Sequence, residues 1–175
     1  MKPTDRFSIE QRAQWSAFVQ ALHPEIDPQA SRLMDDFRLV AHQIYQLSET
    51  YLDSSGLSYA QYRVLMNLRF CEWSGACDGL NPSEISANQG TSRNTISALI
   101  RSLEEDGWIE RSLDHQDRRR FNIHLSEAGR RKVTDLANQH TKLIADLFSA
   151  LTDEEIESLS LLLQKLSRRV SALKE

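Results

Sequence analysis

Asp117-Arg118-Arg119-Arg120 sets three guanidinium groups in a row behind one carboxylate. They close a polar stretch that runs from Ser112 to Arg120. Guanidinium is planar, permanently charged and rich in donors. On a thin projection it suits the minor groove of a duplex, where negative potential is high and width is read rather than base sequence. Asp117 can orient one of the three. Solubilising turns seldom spend three consecutive arginines, so DNA contact is the favoured reading of this segment.

A second set precedes it: Ser92, Arg93, Asn94, Thr95, Ser97 and Arg101. If Ile96, Leu99, Ile100 and Leu103 form the buried side of one helix, 100° steps turn Asn94, Ser97, Ala98 and Arg101 away from it. Small polar residues on that face permit close approach to the major groove, and Arg93, Asn94 and Arg101 can donate to bases or phosphates. A Ser/Thr-rich helix start adds free N–H groups for phosphate. Ser83, near the start of the preceding short helix, joins the expected DNA-contacting set. Elsewhere chemistry is sparse. His23, His42, His115, His124 and His140 lack metal-ligand spacing, and there is no Gly-rich phosphate loop or nucleophile motif. No catalytic residue, metal or cofactor is expected. His140 falls on an apolar helical face and reads as an interior or dimer histidine.

The elements that must position these residues are mostly helical. An N-terminal helix over Ser8 to Leu22 shows an apolar side of Ile9, Ala13, Trp15, Phe18, Val19 and Leu22. Between Pro28 and Tyr51, Leu33, Phe37, Val40, Ile44, Leu47 and Tyr51 make one helical stripe, ended near Ser54-Ser55-Gly56. A helix follows from Tyr59 to about Phe70, then a loop from Glu72 to Gly79. Asn81-Pro82-Ser83-Glu84 is a helix start with a cap, a first-position proline and a glutamate that can reach back. Asn88-Gln89-Gly90 ends it, Thr91-Ser92 caps the next helix and Gly107 stops that one. The period then changes to two in Trp108–Arg111 and Phe121–Leu125, a hairpin whose tip is Ser112–Arg120. Ser126-Glu127 opens another long helix. Thr152-Asp-Glu-Glu155 caps a last one in which Ile156, Leu159, Leu163, Leu166, Val170 and Leu173 step by three and four.

The 175 residues carry 40% hydrophobic and 26% charged side chains with a formal charge of −4. Charge is uneven: residues 81–132 hold 9 Lys/Arg against 8 Asp/Glu, whereas residues 1–80 hold 7 against 10. A basic segment in an acidic chain is a better guide to partners than the total. No apolar run approaches the roughly 20 residues of a membrane span, and the first residues lack the apolar stretch of a secretory signal. A cytoplasmic protein without membrane contact is expected. The stripes near both ends exceed what one small domain can bury, and soluble monomers avoid such patches. A homodimer is therefore expected, placing two recognition helices about one DNA turn, roughly 34 Å, apart.

Taken in order, these elements form a winged helix-turn-helix. Asn81-Pro-Ser-Glu-Ile85, Thr95-Ile-Ser-Ala-Leu-Ile-Arg-Ser-Leu-Glu104, Asp106-Gly-Trp-Ile-Glu-Arg111, Asp114 with Asp117-Arg118-Arg119, and Leu125-Ser-Glu-Ala-Gly129 together resemble the MarR family of bacterial transcription factors. The resemblance implies a mainly α fold with a small β-hairpin wing. Residues 1–56 and 127–175 would be dimerisation helices and 57–126 the DNA-binding domain. It also implies a homodimeric repressor on pseudo-palindromic operators, released by a small aromatic or carboxylate ligand or by cysteine oxidation, with Arg119 entering the minor groove. Several urate- and phenol-responsive relatives carry an N-terminal helix with a tryptophan, which Trp15 matches. Arg63 stands where those relatives have an acidic residue, which weakens the urate comparison and suits a carboxylate. Trp15, Tyr59, Tyr62 and Arg63 are the expected ligand set.

Redox control is not expected. A reactive thiol needs a nearby cation, and the surroundings of Cys71 and Cys77 supply Glu72 and Asp78. The other readings are a winged-helix protein-interaction module without DNA binding, which the pI near 5.8 favours, a redox-responsive regulator, and an oligomeric enzyme.

Overall fold

The computed structural model describes residues 9–75, 78–113 and 121–173. Two compact units divide the chain, Met1–Leu47 and Ser48–Glu175. The first holds α1 (Ile9–Leu22) and most of α2 (Pro28–Leu52). Asp27 caps α2 by accepting the Gln29 N–H at 2.9 Å. The expected stripe is helical but not buried: Leu33, Met34, Phe37 and Val40 are exposed.

The second unit begins at the buried end of α2, Ser48 and Leu52, and turns through a short 3-10 segment, Asp53–Ser55. Then come α3 (Tyr59–Ser74), α4 (Pro82–Gln89), α5 (Arg93–Glu105), β1 (Ile109–Leu113), β2 (Phe121–Leu125), α6 (Glu127–Phe148) and α7 (Asp153–Ala172). Three helix starts close reciprocal capping boxes: Ser58 with Gln61, Asn81 with Glu84, and Thr152 with Glu155. Each satisfies backbone donors that a helix start otherwise leaves open. Helix α3 runs past the expected end, so Glu72, Trp73 and Ser74 are helical. A remote contact explains the extension: Arg130 of α6 grips Glu72 through two oxygens at 3.0 and 3.2 Å.

Strands β1 and β2 pair antiparallel with Ile109 opposite Leu125 and Leu113 opposite Phe121. Ser112 and Leu113 therefore belong to the hairpin stem and not to its tip. A third backbone segment reaches the sheet at Leu80, which exchanges two hydrogen bonds with Ile123, at 3.1 and 2.9 Å. The core is one cluster: Leu65 and Leu68 of α3, Ile85 of α4, Ile96, Ile100 and Leu103 of α5, Ile109, Ile123 and Leu125 of the hairpin, and Val133 and Leu136 of α6. Leu99 is only partly buried beside it. Helix α6 starts tight against this core. A Cβ on Gly129 would lie 2.0 Å from the Trp108 carbonyl oxygen, so a glycine is required where the helix crosses the strand entry. Helix α7 has no buried residue.

Candidate nucleic-acid interface

Helices α4 and α5 are joined by Gly90, Thr91 and Ser92, with Gly90 at φ +63°. Ser86 Oγ donates to the Thr91 carbonyl at 2.6 Å and pins the turn. Ser92 then starts α5, accepting from the Thr95 N–H at 3.1 Å. With Ile96, Ile100 and Leu103 buried, Asn94, Ser97, Ala98 and Arg101 are exposed, as the 100° arithmetic requires. Arg93 is exposed too, and no ion pair among the described residues holds Arg93 or Arg101. Both guanidinium groups are available for an outside acceptor.

The hydroxyls of this surface are less free than residue type alone suggests. Ser92 Oγ and Thr95 Oγ1 share a 2.8 Å hydrogen bond, and Ser97 Oγ donates to the Arg93 carbonyl at 2.9 Å. The Ser97 proton serves the helix backbone, and one of the two protons of Ser92 and Thr95 is spent between them. Ser83 is exposed on α4, with its N–H given to Asn81. The sequence signal for this inward turn was present: a serine or threonine at a helix start, or inside a helix with a carbonyl four residues before it, bonds the backbone.

Asp117, Arg118, Arg119 and Arg120 lie outside the described residues, as do Asp114 and His115. The stem that carries them is described and is anchored at its base. Arg111 of β1 forms an ion pair with Glu104 of α5 at 2.7 Å, which ties the strand leading to the tip to the helix beside it. On the opposite side, Arg130 holds Glu72 at 2.9 Å and Glu127 at 3.5 Å. The hydrogen bond to Glu72, more than any other contact, holds the Arg130 pKa above its ordinary value. Lys132 Nζ donates to the Ser55 carbonyl at 2.7 Å and stands 5.3 Å from the Trp108 ring centre.

Of the expected ligand residues, Tyr59 and Tyr62 are together, their ring centres 6.2 Å apart. Sequence reasoning missed their third member. His140 of α6 lies 5.5 Å from Tyr59 and 5.3 Å from Tyr62, with Nε2 3.4 Å from the buried Ser48 hydroxyl. Burial pushes the His140 imidazole below its ordinary value, and burial, with the Tyr59 phenol second, pushes Tyr62 up. Arg63 does not join them, since its Nη2 donates to the Gln89 carbonyl at 3.4 Å. Trp15 belongs to the first unit, where its ring centre is 5.6 Å from that of Phe18. Cys71 bears on the expectation that redox control is absent. It is buried and disulfide-bonded; Cys77, the other cysteine of the sequence, lies outside the described residues. Among the described residues no helix is long and apolar enough to cross a membrane, and no group of three His, Cys, Asp or Glu is placed to hold a metal.

Residues 46–136 match the family model described as "Transcriptional regulator SarA/Rot". The chain is 28% identical over 141 residues to the transcriptional repressor MprA of Escherichia coli K12, covering 79% of this chain and 78% of that protein. Among solved structures, the S. aureus MepR–DNA complex is similar at 28% identity and a TM-score of 0.67, covering 77% of this chain and 93% of that one. Apo MarR from E. coli shares the fold at 24% identity and a TM-score of 0.64, covering 81% and 98%.

Proposed function

We propose, on the premise that this chain belongs to the MarR-like family of winged-helix transcriptional regulators, that it is a repressor which binds double-stranded DNA as a homodimer. The observation that carries the reading is the outward face of α5. Asn94, Ser97, Ala98 and Arg101 are exposed on a helix whose other side is locked into the core. Such a face fits the major groove, and Arg93 with the free N–H groups of the helix start fits a flanking phosphate. The stem of β1 and β2 carries Asp117 to Arg120 toward the adjacent minor groove, with Arg119 inserted and Arg118 and Arg120 on phosphates. Residues 57–126 do this work; the helices of 1–56 and 127–175 pair two copies so that both recognition helices meet one face of a pseudo-palindromic operator.

The protein works by binding and not by turnover, in the cytoplasm where its DNA is. Release by a small aromatic or carboxylate ligand is supported by Tyr59, which is only partly buried, and by Arg63, whose guanidinium meets only a carbonyl among the described residues. A second reading, release or tightening by thiol oxidation, is favoured by the disulfide at Cys71.

The test is a gel shift with the DNA upstream of the protein's own gene at two salt concentrations. Wild-type protein binds and weakens steeply with salt, because phosphate contacts release counterions. The double variant Arg118→Ala, Arg119→Ala stays folded and dimeric and loses at least about tenfold in affinity. Unchanged affinity in that variant overturns the wing assignment, and absence of any wild-type shift overturns DNA binding.

A further inference from the structure

The hairpin formed by β1 and β2 is a two-stranded ribbon, and such a ribbon alone is marginal in water and free to twist. The Leu80–Ile123 backbone bridge holds one end, and side chains at the base add to it. One residue of β2 touches every strand there. His124 Nε2 shares a 2.8 Å hydrogen bond with Ser112 Oγ of β1, and His124 Nδ1 faces Asp78 Oδ1 at 4.0 Å. In register His124 stands opposite Glu110, and Ser112 opposite Asn122. The His124–Ser112 bond thus leans diagonally across the ribbon toward its tip, and diagonal neighbours of this kind set ribbon twist. Gly79 completes the seat. A Cβ there would lie 2.6 Å from His124 Cε1 and 2.9 Å from the Ile123 carbonyl oxygen, on a backbone at φ +79°. Asn122 Nδ2 donates to the Asp78 carbonyl at 3.1 Å on the same side, next to the Leu80–Ile123 bridge.

We propose that His124 is the positioning residue of the wing: it clamps β1, β2 and the 78–80 segment together and so sets the direction in which residues 114–120 leave the stem. The inference rests on the DNA reading above. It assigns His124 no contact with DNA. Its effect is passed to the wing arginines and leaves the α5 face alone, which separates it from a general contribution to stability.

Footprinting of the full-length protein on its operator tests this. Hydroxyl radicals report minor-groove contact and methylation at guanine N7 reports major-groove contact. His124→Ala keeps the wild-type circular dichroism and dimer mass, loses about tenfold in affinity, and loses minor-groove protection while N7 protection stays. His124→Gln, which again offers a polar group within reach of Ser112, recovers to within about twofold of wild type. In the His124→Ala background, adding Arg118→Ala with Arg119→Ala costs much less than in wild type, because the arginines are already misdirected. If His124→Ala fails to fold, Ser112→Ala, which removes the same hydrogen bond from the exposed side, gives the same footprint pattern. Both protections weakening together, or the His124 and arginine losses adding in full, overturns the positioning role while leaving DNA binding intact. A wild-type protein without a footprint overturns the DNA reading itself.

Discussion

Ile96, Ile100 and Leu103 of α5 are at most 2% exposed, whereas Ile156, Leu159, Leu163, Leu166 and Val170 of α7 keep 38–52% of their surface. Both sets are spaced by three- and four-residue steps on capped helices. The difference lies in what surrounds them. The α5 side chains meet α3, α4 and β1 within one chain; the α7 side chains meet too little of their own chain to be covered. Burying an aliphatic side chain contributes about 1.5–3 kcal/mol, so a stripe of five left half in water is a large unspent driving force. Soluble proteins direct such stripes at a partner, and a second copy supplies an identical stripe by symmetry. The winged lobe thus buries its apolar face within one chain, while the α7 stripe stays exposed in it, which supports the proposed pairing of two copies.

The strongest way to break this comparison is to charge the α7 stripe. Leu159→Lys with Leu166→Lys should yield a monomer by sedimentation, with the winged lobe still folded by circular dichroism. Operator affinity should fall by more than about a hundredfold, because two half-sites can no longer be held together. A dimer of normal mass in that variant would show that the α7 stripe is covered in some other way. The core counterpart is Leu103→Ala, which should cost about 3 kcal/mol through lost burial and a residual cavity. It should lower the urea midpoint at every protein concentration and leave the dimer mass unchanged. If it altered the dimer mass, the two regions would not be separable.

The same contrast explains what could be read from the chain alone. Caps and turns were legible because their partners are two to four residues away: Asn81 with Glu84 and Thr152 with Glu155 are local pairs. The outward set of α5 was legible because one period fixed it. The last turn of α3 was not, since Glu-Trp-Ser-Gly reads as a helix end until Arg130, 58 residues on, takes hold of Glu72. His124 was equally opaque, for it and its partners Ser112 and Asp78 lie on three separate stretches of chain. Periodicity also marked the α2 and α7 stripes as apolar and too large for one chain to bury, and most of their residues are exposed in the folded chain. Local chemistry was transparent; long-range pairing was not.

The smallest expected effect sharpens the comparison at the place where the two regions meet, on α6. Val133 and Leu136 belong to the winged core, Ile144 and Phe148 are exposed, and His140 lies between them against Ser48, Tyr59 and Tyr62. Burial lowers its pKa from the ordinary 6.5. The folded protein therefore binds fewer protons than the unfolded chain as pH falls below that value, and stability falls with it. The loss starts near the unfolded value and ends once pH has passed the folded one. His140→Gln removes the titration and keeps a polar group near Ser48. Urea midpoints at about pH 7.5 and about pH 5.5 should then drop more for wild type than for the variant. Parallel curves would mean that protonation at His140 goes unfelt. A variant that lost stability equally at both pH values would assign the residue to packing alone, on the winged side of the boundary.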